Sequence, residues 1–107
     1  MAKPRINLDE PVSPTFKSKV GIPIPGGAPV LVEFTFKYRD ADEYEAWRKE
    51  LPGLDEPDVM MEIASAWDLA DPFSRDNVEK LLKKYMGSGM AIFNKYIAEN
   101  TGAKLGN

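Results

Sequence analysis

Phe16, Ser18, Val20, Ile22 and Ile24 fall on alternate positions, and Val30, Val32, Phe34, Phe36 and Tyr38 do so again. A period of two marks a strand with one buried face. The second run is the cleaner, because Leu31, Glu33, Thr35, Lys37 and Arg39 stand between its apolar residues. Pro25-Gly26-Gly27 separates the runs and supplies a turn. Residues 16–39 therefore read as a β-hairpin, apolar on one face and wet on the other. Pro23 withholds one ladder donor, which places its strand at an edge or on a bulge. A lone hairpin is barely stable, so its apolar face needs cover from helices or from another copy. Before it, residues 1–15 carry Pro4, Pro11 and Pro14 with little periodicity and read as a flexible arm.

At Asp40 the period changes. Asp40 and Glu43 stand at capping-box spacing, and Tyr44, Trp47 and Leu51 follow on one helical face. Pro52-Gly53 ends that helix. Pro57 suits the first turn of a second, whose apolar stripe is Val59, Met60, Ile63, Ala64 and Trp67. Asp71-Pro72 breaks it. Ser74 caps a third helix with Val78, Leu81, Leu82 and Tyr85 inward, and Gly87 stops it. Ser88 is the expected cap of a fourth, bearing Ala91, Phe93, Tyr96 and Ile97 and closed by Gly102. Ala103 to Asn107 are expected to fray. With no repeat and no linker, residues 16–107 read as a single domain. Its class is α+β, mainly α: a hairpin over 16–39, then about four short helices over 40–102.

Composition narrows the chemistry. The 107 residues are 43% hydrophobic and 29% charged, a globular balance, and about two-thirds of the unfolded surface of such a chain can be hidden. There is no Cys and no His. Zinc ligation by those residues, thiol catalysis, haem attachment and histidine-based triads are thereby excluded. No stretch reaches the ~18 apolar residues of a membrane span, and Met1 to Glu10 lack the apolar run of a signal peptide, so a cytoplasmic location is expected. The net charge of -3 is unevenly spread: residues 40–71 hold eleven acidic side chains and only Arg48 and Lys49 as basic ones, while both flanks are basic. An acidic middle argues against nucleic acid as the main partner. Opposed charge blocks can also steer copies or partners together.

Carboxylates are the plentiful reactive groups. Asp55, Glu56, Asp58, Asp68 and Asp71 have the chemistry to hold a hard cation, but no EF-hand frame is present, and helix capping or solvation is the expected role. A glycosidase pair would need a deep cleft that short helices do not easily make. Gly26-Gly27 has no dinucleotide frame, and Gly87-Ser88-Gly89 joins two helices with no strand before it. Ser74 has no histidine to activate it. No enzyme, metal or cofactor is expected. The aromatic side chains are hard to bury completely in a chain this short, and Met60, Met61, Met86 and Met90 are adaptable apolar surface. These features point to binding or assembly.

Ala66-Trp67-Asp68-Leu69-Ala70-Asp71-Pro72-Phe73-Ser74 is followed by Leu81-Leu82 with Tyr85, then by Ala91-Ile92-Phe93, Tyr96 and Thr101-Gly102-Ala103. This ordered set, with the upstream Pro-Gly-Gly turn, Val-Glu-Phe-Thr-Phe strand and acidic Asp-Glu-Tyr helix, resembles the tail assembly chaperones of long-tailed bacteriophages. It covers roughly residues 20–107. Met86 departs from the pattern, where a Pro is expected near Tyr85. The resemblance implies a chaperone that binds the phage tape measure protein and keeps it soluble. It further implies a role in recruiting tail tube subunits in the host cytoplasm, and absence from the mature virion. A longer frameshifted form is implied as well, and a homo-oligomer is expected. The partner-binding residues expected are Trp67, Phe73, Tyr85, Met86, Met90, Phe93 and Tyr96, with the third and fourth helices giving most of the apolar contact. Tyr85, Phe93 and Tyr96 also lie on inner helical stripes, where they would be core. The alternatives are a structural minor tail component and a small helical DNA-binding regulator, the latter using the helices around Gly87-Ser88-Gly89 with Lys80, Lys83, Lys84 and Lys95.

Overall fold

The alternation over 16–39 folds as a hairpin. A computed structural model describes residues 6–102; residues 1–5 of the expected arm and the expected fraying tail, 103–107, lie outside the described residues. Strand β1 (Thr15–Ile22) pairs antiparallel with β2 (Val30–Lys37) in unbroken register from Thr15 opposite Lys37 to Ile22 opposite Val30. Gly26 in the connecting turn has φ 74°, a left-handed conformation that glycine adopts without strain. Val20, Ile22, Val32, Phe34 and Phe36 are buried on one face, and Lys17 and Lys19 are exposed on the other. β1 is an edge strand and Pro23 falls just beyond its end, so the missing donor costs the ladder nothing.

Helix α1 (Ala41–Glu50) starts with the expected capping box: Asp40 accepts from the Glu43 N–H at 2.9 Å, and Glu43 accepts from the Asp40 N–H at 3.0 Å. A single 3-10 turn, Leu51–Gly53, follows it. Helix α2 (Glu56–Ile63) is capped by Asp55, which accepts from the Asp58 N–H, and has Pro57 in its first turn.

The expected second helix is too long. It ends at Ile63, and Ala64–Trp67 form a third strand, β3, antiparallel to β2. Two interactions distant in sequence explain this. The last carbonyls of α2 are taken by cations at and just past the end of β2, with Lys37 Nζ donating to Met61 O at 3.1 Å and the Arg39 guanidinium to Glu62 O at 2.8 Å. The free edge of β2 then offers Ala64–Trp67 a ladder, with a register shift between Thr35 and Phe36. Trp67 lies opposite Phe34 and joins the apolar face. The sheet order is β1-β2-β3.

Helix α3 (Arg75–Lys84) is capped by Ser74 as expected, its hydroxyl accepting from the Asn77 N–H at 3.2 Å. Helix α4 (Ser88–Thr101) departs from expectation at its start. Its cap is Gly87, while Ser88 is fully buried and donates to Leu81 O at 3.4 Å. Gly87 has φ -85°, so it is no left-handed stop for α3; a Cβ there would press on Pro23 at 3.2 Å. Gly102, with φ 75°, closes α4 as expected. The core lies between the apolar face of the sheet and the helices, and includes Trp47, Met60, Ile63, Val78, Leu82, Ile92 and Tyr96.

Candidate functional site

The seven side chains expected to bind a partner do not form one patch. Tyr96 is a correction: it is completely buried, with its ring 5.4 Å from Phe36, 5.5 Å from Trp47 and 6.2 Å from Phe16. It has no surface to offer, because α4 turns this position onto the sheet. Met86 and Met90 are the opposite case, 90% and 64% exposed. Trp67, Phe73, Tyr85 and Phe93 are half-buried against the core.

Trp67 and Phe73 build a joint. The Trp67 ring meets Phe34 at 5.9 Å and Phe73 at 5.1 Å, both edge-on, and its indole N–H donates to Asp71 O at 2.7 Å. Edge-to-face contacts of this kind contribute about 0.5–1.5 kcal/mol each beyond burial. Asp68 extends the β2–β3 pairing: its N–H donates to Glu33 O at 3.0 Å and its carboxylate accepts from the Glu33 N–H at 2.9 Å. The Trp-Asp…Pro-Phe-Ser segment thus ends a strand, turns the chain and caps α3. Beside it lies a mixed groove of about 350 Å³, where Trp67, Leu69, Leu81 and Tyr85 meet Asp71, Asn77, Lys80 and Lys84.

Met90 and Phe93 line a second groove, of about 210 Å³, between α2, α4 and the 3-10 turn. Leu51, Val59 and Met60 complete its apolar wall, and Glu56 is its charged residue. Glu56 reaches the first turn of α4, where Gly89 leaves room: a Cβ at that position would run into the carboxylate. The α4 cap makes no side-chain hydrogen bond, so a carboxylate at this helix end is electrostatically favoured. Leu51, Glu56, Val59 and Gly89 are lining residues that the sequence pattern does not single out. The available signal was Gly89, a helix-weakening residue inside a helical pattern.

Arg39, which the alternation places on the wet face of the hairpin, instead reaches inward. Its guanidinium donates to Tyr96 Oη at 2.9 Å and to Glu62 O at 2.8 Å, and lies 4.9 Å from the centre of the Trp47 ring. Its main chain is held at both ends by Asn100: the Arg39 N–H donates to Oδ1 at 2.9 Å and its carbonyl accepts from Nδ2 at 3.0 Å. Tyr96 in turn donates to Lys37 O at 2.8 Å. One residue therefore joins β2, α1, α2 and α4. The Trp47 indole N–H is buried without a hydrogen-bond partner among the described residues, so this ring is held by packing and by the cation over its face.

Burial pushes the Tyr96 hydroxyl above its ordinary 10.0, while the hydrogen bond and charge of Arg39 pull it down. The fold favours the protonated phenol. Its contribution is fully present below about pH 10, where the unfolded chain also holds the proton, and is lost as pH rises. Melting temperature measured from about pH 8 to 12 should fall less steeply above pH 10 for Tyr96→Phe than for the parent.

The carboxylates expected to cap or sit in solvent do so, and some find a cation. Asp55 and Asp58 both meet Arg75, which is also 3.8 Å from Glu79. The hydrogen bond from Arg75 is the main cause that holds the Asp58 carboxyl below its ordinary 3.8. These groups are well exposed, so the network adds little to stability.

A closed core with methionine and aromatic side chains left at surface grooves is the kind of structure that takes up segments of other polypeptides. The family model for phage tail assembly chaperones matches residues 1–107, the whole chain, and the protein belongs to that family. Comparisons with curated proteins and with solved structures gave no match. No helix among the described residues is long and apolar enough to cross a membrane.

Proposed function

We propose that this tail assembly chaperone binds the tape measure protein of its phage in the host cytoplasm and keeps it soluble. It then helps to recruit tube subunits and leaves before the virion is complete. It acts by binding, with no catalytic step. The observation that supports this most is the α2/α4 groove, with Phe93 in its wall and Met90 at its rim, and Met86 bare in the neighbouring turn. The core closes without either methionine, so both are free to grip. A tape measure protein is long, helical and apolar, and it would aggregate through its exposed patches if left alone. An amphipathic helix laid in an apolar groove covers such a patch. Repeated weak contacts along one partner give avidity, and each can still be displaced by a tube subunit.

Co-expression with the tape measure protein of the same genome, followed by affinity capture, tests the proposal. A soluble complex with several chaperones per tape measure is expected. An insoluble tape measure with no co-purification would overturn it. Mass spectrometry of purified particles should not find the chain; finding it would make the protein a structural tail component. The double variant Met86→Ser, Met90→Ser should weaken capture tenfold or more, a loss of about 1.4 kcal/mol or more. Its melting temperature should stay within about 3 °C of the parent, since neither side chain is in the core.

A further inference from the structure

The exposed large apolar side chains fall into separate sets. One set is on the arm before β1: Ile6, Leu8 and Val12 are 80%, 92% and 62% exposed. Leu8 stands at the tip of a turn in which the Glu10 N–H donates to Asn7 O at 3.3 Å and the Asp9 N–H to Asn7 Oδ1 at 3.0 Å. An apolar side chain held on a turn tip is a knob without a hole, and bare apolar groups of this kind gain by being covered. The α2/α4 groove is a hole without a knob.

We infer that the N-terminal arm of one copy docks in the α2/α4 groove of a second copy, with Leu8 and Ile6 against Val59, Met90 and Phe93. Charge selects this pairing. The groove's charged residue is Glu56, and it lies in the segment with eleven acidic residues against two basic. Lys3 and Arg5 stand in the five residues before Ile6, and the acidic Asp9 and Glu10 come only after Leu8. The end of the arm that carries the apolar knobs is thus the basic end. The exposure of Ile6 and Leu8 selects a second copy over the arm's own groove. The arm joins the body where the Tyr38 N–H donates to Pro14 O, close to the Arg39–Asn100 bonds at the C-terminal end of α4. The groove is at Gly89, Met90 and Phe93, at the other end of the same helix and about 15 Å away at 1.5 Å per residue. Ile6 and Leu8 stand clear of the body. Reciprocal exchange of arms closes a two-fold dimer. This inference is independent of tape measure binding, and where both hold, the arm and the tape measure compete for one groove.

Sedimentation of the purified full chain across a wide concentration range is the test, with no tape measure present, so its outcome does not depend on that reading. The parent should pass from one chain to two as concentration rises. Leu8→Asp and Met90→Asp should each weaken this association tenfold or more with unchanged melting temperature, as both side chains are outside the core. The decisive measurement is their mixture. Leu8→Asp keeps an intact groove and Met90→Asp an intact arm, so an equimolar mixture restores one interface and should form heterodimers that neither makes alone. A parent that stays monomeric at every concentration overturns the inference, including the case of an arm folded onto its own groove. Association that neither variant weakens, or a mixture that stays monomeric, overturns it too. Should Met90→Asp disturb folding, Leu8→Asp alone still decides, since Leu8 is 92% exposed and contributes nothing to the core.

Discussion

Tyr96→Ala is expected to cost about 3–5 kcal/mol, the range for removing a large buried ring. The side chain is completely buried among Phe16, Phe36 and Trp47, and its hydroxyl bridges Arg39 and Lys37 O. Truncation leaves a cavity and strands two polar groups together. A domain of this kind has about 5–15 kcal/mol in total, so the variant should be largely unfolded at 37 °C if the parent is at the low end. Urea unfolding measures it. Tyr96→Phe keeps the ring and loses only the hydroxyl, and should cost about 1–3 kcal/mol. A Tyr96→Ala variant that stays folded and loses only partner capture would return this residue to the surface and refute the burial described above.

The second large effect is expected at Arg39. Arg39→Ala should cost about 2–3 kcal/mol, because hydrogen bonds from a charged donor contribute about 1.5–3 kcal/mol and their loss bares the end of α2. Lys should restore little of it. A single ammonium cannot reach both Tyr96 Oη and Glu62 O while also sitting over Trp47. The two variants measured by urea unfolding should therefore be close to each other and well below the parent. A Lys variant as stable as the parent would mean that charge alone matters, and that the fork geometry does not. Arg39 and Tyr96 touch, so the double variant with Tyr96→Phe should cost less than the two singles added together.

The hairpin was legible in the sequence because its signals are local. Alternation over 16–24 and 30–38, a glycine turn and the Asp40/Glu43 spacing each need only neighbouring residues, and all of them formed. The Ser74 cap and the Gly102 stop were read for the same reason. The misses depend on partners far along the chain. Ala64 and Trp67 fit a helical stripe as well as a strand, and only the free edge of β2 decides between them. Ser88 has a capping side chain, but Leu81 O takes it inward. Arg39 alternates correctly with the polar face, yet it stands beyond the end of β2 and reaches back to α2, α1 and α4. The candidate site divides in the same way. Met86 and Met90 are legible as exposed side chains because they fall off the apolar stripes, whereas the burial of Tyr96 is not, because an inner-stripe aromatic and an interface aromatic look alike in sequence. The groove itself needs α2 and α4 side by side, which no periodicity reveals.

The pairing of β3 with β2 has a consequence for synthesis. Phe36 is opposite Ala64 and Phe34 opposite Trp67, so roughly thirty residues separate each side of that ladder. On the ribosome both hairpin strands are therefore made well before β3, and the inner edge of β2 has no partner for the time needed to make α1 and α2. At about 5–20 residues per second this is a window of some seconds. The same nascent chain has Lys17 and Lys19 along its outer edge, which discourages pairing there, whereas the β2 edge carries Phe34 and Phe36 and waits for its own strand. Translation speed through residues 40–67 thus sets how long a sticky edge is open, and yield on overexpression should respond to codon choice in that stretch more than to codon choice in α4.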